Sequence, residues 1–203
     1  LLAMAQRWPA ATFNSLFARA MLQADRVRAA AAQSPQLTLI TSQSELSQLL
    51  AQRGRGEAVV GALLGTEGSH ALDGQLDNIG QLYDAGFRMM GLHHCFDNRL
   101  GGCLHGESPA RLTSFGELAV RNMQKQGIMI DVAHSSEATV RDTLRVTEGD
   151  ALIVSHTGFD GHCPRPRHSR DEPVALLTEA GGLIGVGFWA VVTCGKGIDA
   201  IAS

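Results

Sequence analysis

From residue 37 onward the chain alternates short apolar runs with stretches of helical periodicity, and this alternation limits its possible folds more than any other feature. The apolar runs are Leu37–Ile40, Ala58–Leu64, Phe87–Leu92, Ile128–Val132, Leu152–Val154 and Leu183–Phe188. Between them, helical spacing recurs over Glu45–Gln52, Leu76–Ala85, Ser114–Gln126, Glu137–Arg145 and Pro173–Ala180, and again from Ile198 onward. The runs do not alternate strictly with polar residues, which suits strands buried on both faces in a parallel sheet covered by helices. The reading is a βα repeat in the α/β class.

Successive runs recur at roughly the 30-residue period expected when about 250 residues make eight units, so a TIM-like (β/α)8 barrel is favoured. The rival doubly wound sheet would carry G-x-G-x-x-G at a strand-to-helix turn. Gly65-Thr66-Glu67-Gly68 and Gly185-Val186-Gly187 both lack that pattern. Only six strands are visible, so the barrel is expected to be incomplete in this chain. Residues 1–35 read as an N-terminal helical segment, with one amphipathic helix over 11–33 closed by Pro35, and residues 36–203 as a partial barrel catalytic domain.

Composition narrows the function. With 44% hydrophobic residues among 203, there is apolar material for a sizeable core. Seventeen Lys and Arg against twenty Asp and Glu give a net charge of −3, with no basic stripe to follow a phosphate backbone, so nucleic acid is a poor partner. No apolar run approaches the ~20 residues of a transmembrane helix. Residues 1–10 show no basic region followed by an apolar run, so no signal peptide is visible. The chain also opens without Met, and it is expected to be an internal piece of a longer protein.

All eight histidines lie between His70 and His168, and His70, His93, His94, His134 and His156 fall at or just past strand ends, where barrel enzymes place their sites. His134 ends Ile130-Asp131-Val132-Ala133-His134, His156 ends Ile153-Val154-Ser155-His156, and Glu67 closes Leu64-Gly65-Thr66-Glu67 in the same way. Two imidazoles and a carboxylate at equivalent strand ends suit zinc with positions left open for water, although each residue alone has an ordinary polar or capping explanation.

Those strings, with Tyr83-Asp84-Ala85-Gly86-Phe87-Arg88, Leu92-His93-His94-Cys95, Leu112-Thr113-Ser114-Phe115-Gly116, Arg167-His168-Ser169-Arg170-Asp171 and Gly181 to Phe188, resemble the membrane (renal) dipeptidase family of zinc peptidases. The likeness covers about residues 58–195, and its specificity lies in the ordered set of short motifs. It implies an amidohydrolase-like barrel that hydrolyses dipeptides with two zinc ions. Glu67 then matches the bridging carboxylate, and His134 and His156 the two histidines of one zinc. His94 matches the catalytic histidine that contacts the scissile carbonyl, and Arg167 the arginine that holds the substrate carboxylate. His70 is expected to orient the site without binding metal. His105, His162 and His168 read as loop residues.

The resemblance also implies a Cys163–Cys194 disulfide, hence an oxidising compartment, and a homodimer is an expected assembly. Cys95 matches a family cysteine whose usual partner would lie upstream. The family's first-strand His-x-Asp and a late-strand Asp are absent here, since no His precedes His70 and the later Asp would lie past Ser203. The 203-residue piece alone is thus expected to lack the binuclear centre and peptidase activity, with exposed barrel edges that favour aggregation. Two rivals remain. One is a metal hydrolase of another small amide, lactam or ester, because residues 96–108 drift from the family pattern; manganese or cobalt would also suit such a site. The other is a catalytically silent barrel fragment that binds a ligand or partner.

Overall fold

A computed structural model of the chain describes residues 2–106, 111–150, 152–165 and 168–195. Helices α1 (Leu2–Ala5) and α2 (Leu16–Gln33) precede strand β1 (Leu37–Leu39) and helix α3 (Gln43–Gly54). Strands β2 (Val60–Ala62) and β3 (Leu64–Thr66) follow, then α4 (Asp77–Asp84), β4 (Phe87–Gly91), α5 (Ser114–Lys125) and β5 (Met129–Asp131). The series ends with α6 (Glu137–Val146), β6 (Ile153–Thr157), α7 (Asp171–Glu179) and β7 (Leu183–Val186).

Every ladder is parallel, as the βα alternation predicts. β1 pairs with β2, and β3-β4-β5-β6-β7 lie side by side in chain order. The α/β class with parallel strands is therefore found, but the expected burial on both faces is not, since Val60, Met129 and Leu183 of the strands are exposed where the sheet does not close. The sheet does not close into a ring among the described residues, where β3 and β7 are its two edges.

One expected strand is two. The run Ala58–Leu64 gives β2, paired with β1, and β3, paired with β4, and the exposed Leu63 separates them. Just past that break, within β3, the ladder to β4 shifts register between Leu64 and Gly65, an irregularity of the kind that accompanies a bend in a strand. β3 then continues to Thr66, which brings Glu67 to the strand end. The predicted helix from residue 198 lies outside the described residues.

Side-chain caps set the helix starts. Ser15, Ser42, Thr113 and Ser136 accept hydrogen bonds from the backbone N–H of Ala18, Glu45, Gly116 and Thr139. That is why the long helix begins at Leu16, after a separate 3-10 turn at Ala10–Thr12, and not at residue 11. Asp73 reinforces the start by accepting from the Ser15 hydroxyl at 2.6 Å and from the N–H groups of Leu16 and Phe17.

The core fills the space between strands and helices. Leu82 of α4, Met90 of β4, Val120 and Met123 of α5, Ile130 of β5 and Val146 of α6 are all buried there, and Ala24 brings α2 into the same cluster. Burying such side chains contributes roughly 1.5–3 kcal/mol each. Because the strands are parallel, their C-terminal ends share one edge of the sheet, and successive strand-to-helix loops meet on it. Among the described residues no helix is long and apolar enough to cross a membrane.

Candidate metal centre

Four strand ends deliver the site. Glu67 directly follows β3, His94 lies three residues past β4, His134 lies three past β5, and His156 is the fourth residue of β6. Glu67 Oε1 stands 3.0 Å from His134 Nε2 and 3.2 Å from His156 Nε2, and the two Nε2 atoms are 3.0 Å apart. His94 Nε2 reaches the same carboxylate oxygen at 3.6 Å. The His94 and His134 rings meet edge to face with centroids 4.9 Å apart, and His134 and His156 repeat that spacing.

His134 reaches this point through an uncommon backbone. The Ser135 N–H donates to the Val132 carbonyl at 3.0 Å, closing a four-residue turn whose third residue is His134 at φ 64°. A positive φ at that turn position ordinarily selects glycine or asparagine, so an imidazole there is held by its surroundings. His134 is buried, whereas Glu67 and His94 are open to solvent. A buried base facing an open carboxylate leaves one side of the cluster accessible to a small molecule.

The donor set fits a small divalent cation. Tetrahedral zinc with ligand bonds near 2.0–2.1 Å places its ligand atoms about 3.3 Å apart, and the three atoms here form a triangle with sides of 3.0, 3.0 and 3.2 Å. Glu67, His134 and His156 are the group of metal-type residues that converges among the described residues. A cleft of about 460 Å³ opens beside it, lined by Gly65, Thr66, Glu67, Met89, Asp131, Ser155 and His156. A slightly larger cavity of about 490 Å³ lies between the β5 and β6 strand ends and helices α6 and α7, and includes His134 but neither Glu67 nor His156.

The adjacent histidines separate sharply. His94 faces the cluster, whereas His93 is fully buried with Nδ1 3.0 Å from the Ser135 hydroxyl, and burial pushes its pKa down to about 4. His70 sits half-buried in the 3-10 turn Ser69–Leu72, and burial, then the neighbouring His94, lowers its pKa. His168, read from sequence as a loop residue, is buried, with Nδ1 2.7 Å from the Cys163 carbonyl. Arg167 lies outside the described residues.

Three neighbours escaped the sequence reading. The Trp189 ring packs 5.9 Å from that of His156 and walls one side of the site. Asp131 and Ser155 sit inside the motifs that identified His134 and His156. Ser155 Oγ donates to Asp131 Oδ2 at 2.5 Å and lies 2.8 Å from His156 Nδ1. A short polar residue within a strand motif was the available signal for both.

Cys163 and Cys194 form a disulfide, with Cα atoms 6.6 Å apart. It ties the loop after β6 to the loop that follows β7 and carries Trp189. Cys95 is exposed and Cys103 buried, and both are free thiols.

A sequence model of the family described as "Membrane dipeptidase (Peptidase family M19)" matches residues 4–199. Dipeptidase 3 of Mus musculus is 30% identical over 181 residues, which cover 81% of this chain and 33% of the relative. The chain therefore spans about a third of the length of that relative. Among solved structures, an amidohydrolase from Pseudomonas aeruginosa matches with TM-score 0.73 at 21% identity, over 85% of this chain and 52% of the other. A metallo peptidase from Rhodobacter sphaeroides, liganded with a phosphinate mimic of the dipeptide L-Ala-D-Ala, matches with TM-score 0.68 at 21% identity, over 80% and 46% of the two chains. Both structural likenesses concern the fold.

Proposed function

Because the chain belongs to the membrane dipeptidase family, peptidase family M19, we propose that it supplies part of the metal centre of an enzyme that hydrolyses dipeptides. The convergence of Glu67 Oε1 with the Nε2 atoms of His134 and His156, no pair more than 3.2 Å apart, carries this reading. These three residues would hold zinc. When bound, zinc would supply Lewis acidity, making water nucleophilic near neutral pH and polarising the amide carbonyl. The five parallel strands are then an arc of a TIM-like barrel, in which residues 36–203 form the catalytic part and residues 1–35 an appended helical segment.

The remaining roles belong to the protein's own groups. His94, on the open side of the cluster and 3.6 Å from Glu67, would donate an N–H to the amide oxygen as negative charge develops there. Arg167 is assigned to the terminal carboxylate of the substrate, which a planar guanidinium grips in a bidentate fashion. A carboxylate held near the metal would favour substrates as short as dipeptides. Trp189, packed against His156, would keep bulk water from that flank. The Cys163–Cys194 bond favours an extracytoplasmic setting.

Metal analysis of the 203-residue chain, with His134→Ala and His156→Ala beside it, tests the centre. The expected result is bound zinc in the parent chain and its loss from both variants. No zinc in the parent, or equal zinc in all three, would overturn the assignment. Hydrolysis of a simple dipeptide by the full-length protein, compared with small lactams and esters, then tests the substrate class.

A further inference from the structure

Asp131 is the last residue of β5 and is buried, with three hydrogen bonds to its carboxylate. Oδ1 accepts the N–H of Ala133 at 3.0 Å and that of Ser155 at 3.0 Å. Oδ2 accepts the Ser155 hydroxyl at 2.5 Å. One side chain therefore ties the turn after β5 to the adjoining strand β6, immediately beneath both histidines.

The direction of the bonds follows from chemistry. A carboxylate only accepts, so the hydroxyl hydrogen of Ser155 is committed to Asp131. Ser155 Oγ then has only lone pairs to offer His156 Nδ1, 2.8 Å away, and Nδ1 must be the protonated ring nitrogen. In neutral imidazole the lone pair is then on Nε2, the atom that faces Glu67 and His134. The same carboxylate, through the Ala133 N–H, braces the turn that holds His134 at its positive φ.

The geometry points to Asp131 as the common positioning residue of the metal centre: through Ser155 it fixes the His156 tautomer, and through the Ala133 N–H it fixes the turn that presents His134. This inference rests on the metal-centre reading above but concerns residues that make no contact with the cation. Histidine ligands are commonly oriented by a hydrogen bond at the other ring nitrogen, and loss of such a partner typically costs 10–100-fold in metal affinity. Here the partner is a hydroxyl, and the carboxylate stands one bond further back.

Asparagine at position 131 inverts the relay. Its Oδ1 can still accept the two backbone N–H groups, but its Nδ2 donates to Ser155 Oγ. The hydroxyl hydrogen is then free to turn toward His156 Nδ1, which drives the imidazole proton onto Nε2, the ligand position.

The test measures zinc affinity by competition with a chromophoric chelator for the parent chain, Asp131→Asn, Ser155→Ala and Ser155→Thr. The His156 tautomer in each metal-free protein is read from its 15N shifts. The expected result is Nδ1–H in the parent, a 10–100-fold loss of zinc affinity in Asp131→Asn with the proton moved to Nε2, about a tenfold loss in Ser155→Ala, and near-parental binding in Ser155→Thr. Equal zinc affinity in the parent, Asp131→Asn and Ser155→Ala would overturn the inference, as would an Nε2–H tautomer in the parent. If Asp131→Asn does not fold, the two Ser155 variants decide. If the parent binds no zinc, the metal-centre reading fails by itself, and the tautomer of His156 with and without the Ser155 hydroxyl still decides the relay.

Discussion

His134 and His156 hold their Nε2 atoms 3.0 Å apart, with one oxygen of Glu67 within 3.2 Å of each. Three electron-rich atoms so close together repel unless a proton or a cation lies among them. The fold brings them together nonetheless, because β3, β5 and β6 end at the same edge of one sheet. That arrangement stores a preference for positive charge at one point, and the preference has measurable consequences.

A cation that binds the native cluster and not the unfolded chain stabilises the fold by mass action. At free zinc a hundredfold above its dissociation constant the gain is about 2.7 kcal/mol, which in a domain of this size raises the melting temperature by several degrees. The gain should vanish in Glu67→Gln and His156→Ala. Scanning calorimetry with and without zinc measures it, and an equal zinc response in those variants would contradict the cluster as the binding point.

The Cys163–Cys194 bond closes a loop of 31 residues in sequence separation that contains β7. Cross-links of this size typically contribute about 2–4 kcal/mol. Cys194→Ser should therefore lower stability by that order. It should also loosen the loop that holds Trp189 against His156. Thiol titration of the native protein should find only Cys95 and Cys103 free, and the buried Cys103 should react slowly until the chain is unfolded.

The parallel α/β order was legible because the strands are written as short apolar runs and the helices between them as amphipathic stretches, although several strand side chains, among them Val60, Met129 and Leu183, stay exposed in this open sheet. What pattern could not reveal was the division of Ala58–Leu64, since residues on either side of Leu63 are equally apolar and only pairing with β1 or β4 tells them apart. At the site, histidines at strand ends stood out by residue type. Asp131 and Ser155 did not, because their significance is a hydrogen-bond direction that depends on side-chain placement across two strands. His93 and His94 are chemically identical neighbours that face opposite ways, and choosing His94 from sequence needed the family resemblance.

Asp142 of α6 gathers the segment that enters α5. Its carboxylate accepts from Arg111 Nε at 3.0 Å and Nη2 at 2.7 Å, and from the Leu112 N–H at 3.3 Å. The Arg111 guanidinium holds the Asp142 carboxyl below the usual carboxylate range. A depressed native value means that the unfolded chain binds the proton more readily, so the pair's stabilisation is complete above about pH 4 and is lost as pH falls through the native value. Asp142→Asn should thus lower the urea midpoint at pH 7. The gap from the parent should narrow in acid, and a constant gap down to pH 2.5 would count against the ionic pair.

His93 adds a second acid sensitivity of the same sign, in a higher pH window and with burial as its cause. It is fully buried beside the Ser135 hydroxyl, with the Gly101 backbone, Asp97, His70 and His134 as its other polar neighbours, and burial dominates in holding its pKa at about 4. Between that value and the ordinary ~6.5 of an unfolded histidine, the unfolded chain binds a proton that the native protein refuses. Stability therefore falls as pH drops through this window, by as much as roughly 3 kcal/mol for a single group shifted so far. His93→Asn keeps a polar atom near Ser135 but cannot titrate. It should be less stable at pH 7, because the smaller side chain leaves space, yet its stability should be flatter from pH 6.5 to 4. Urea unfolding of parent and variant across that range measures the difference, and parallel curves would show that His93 is not the group being protonated.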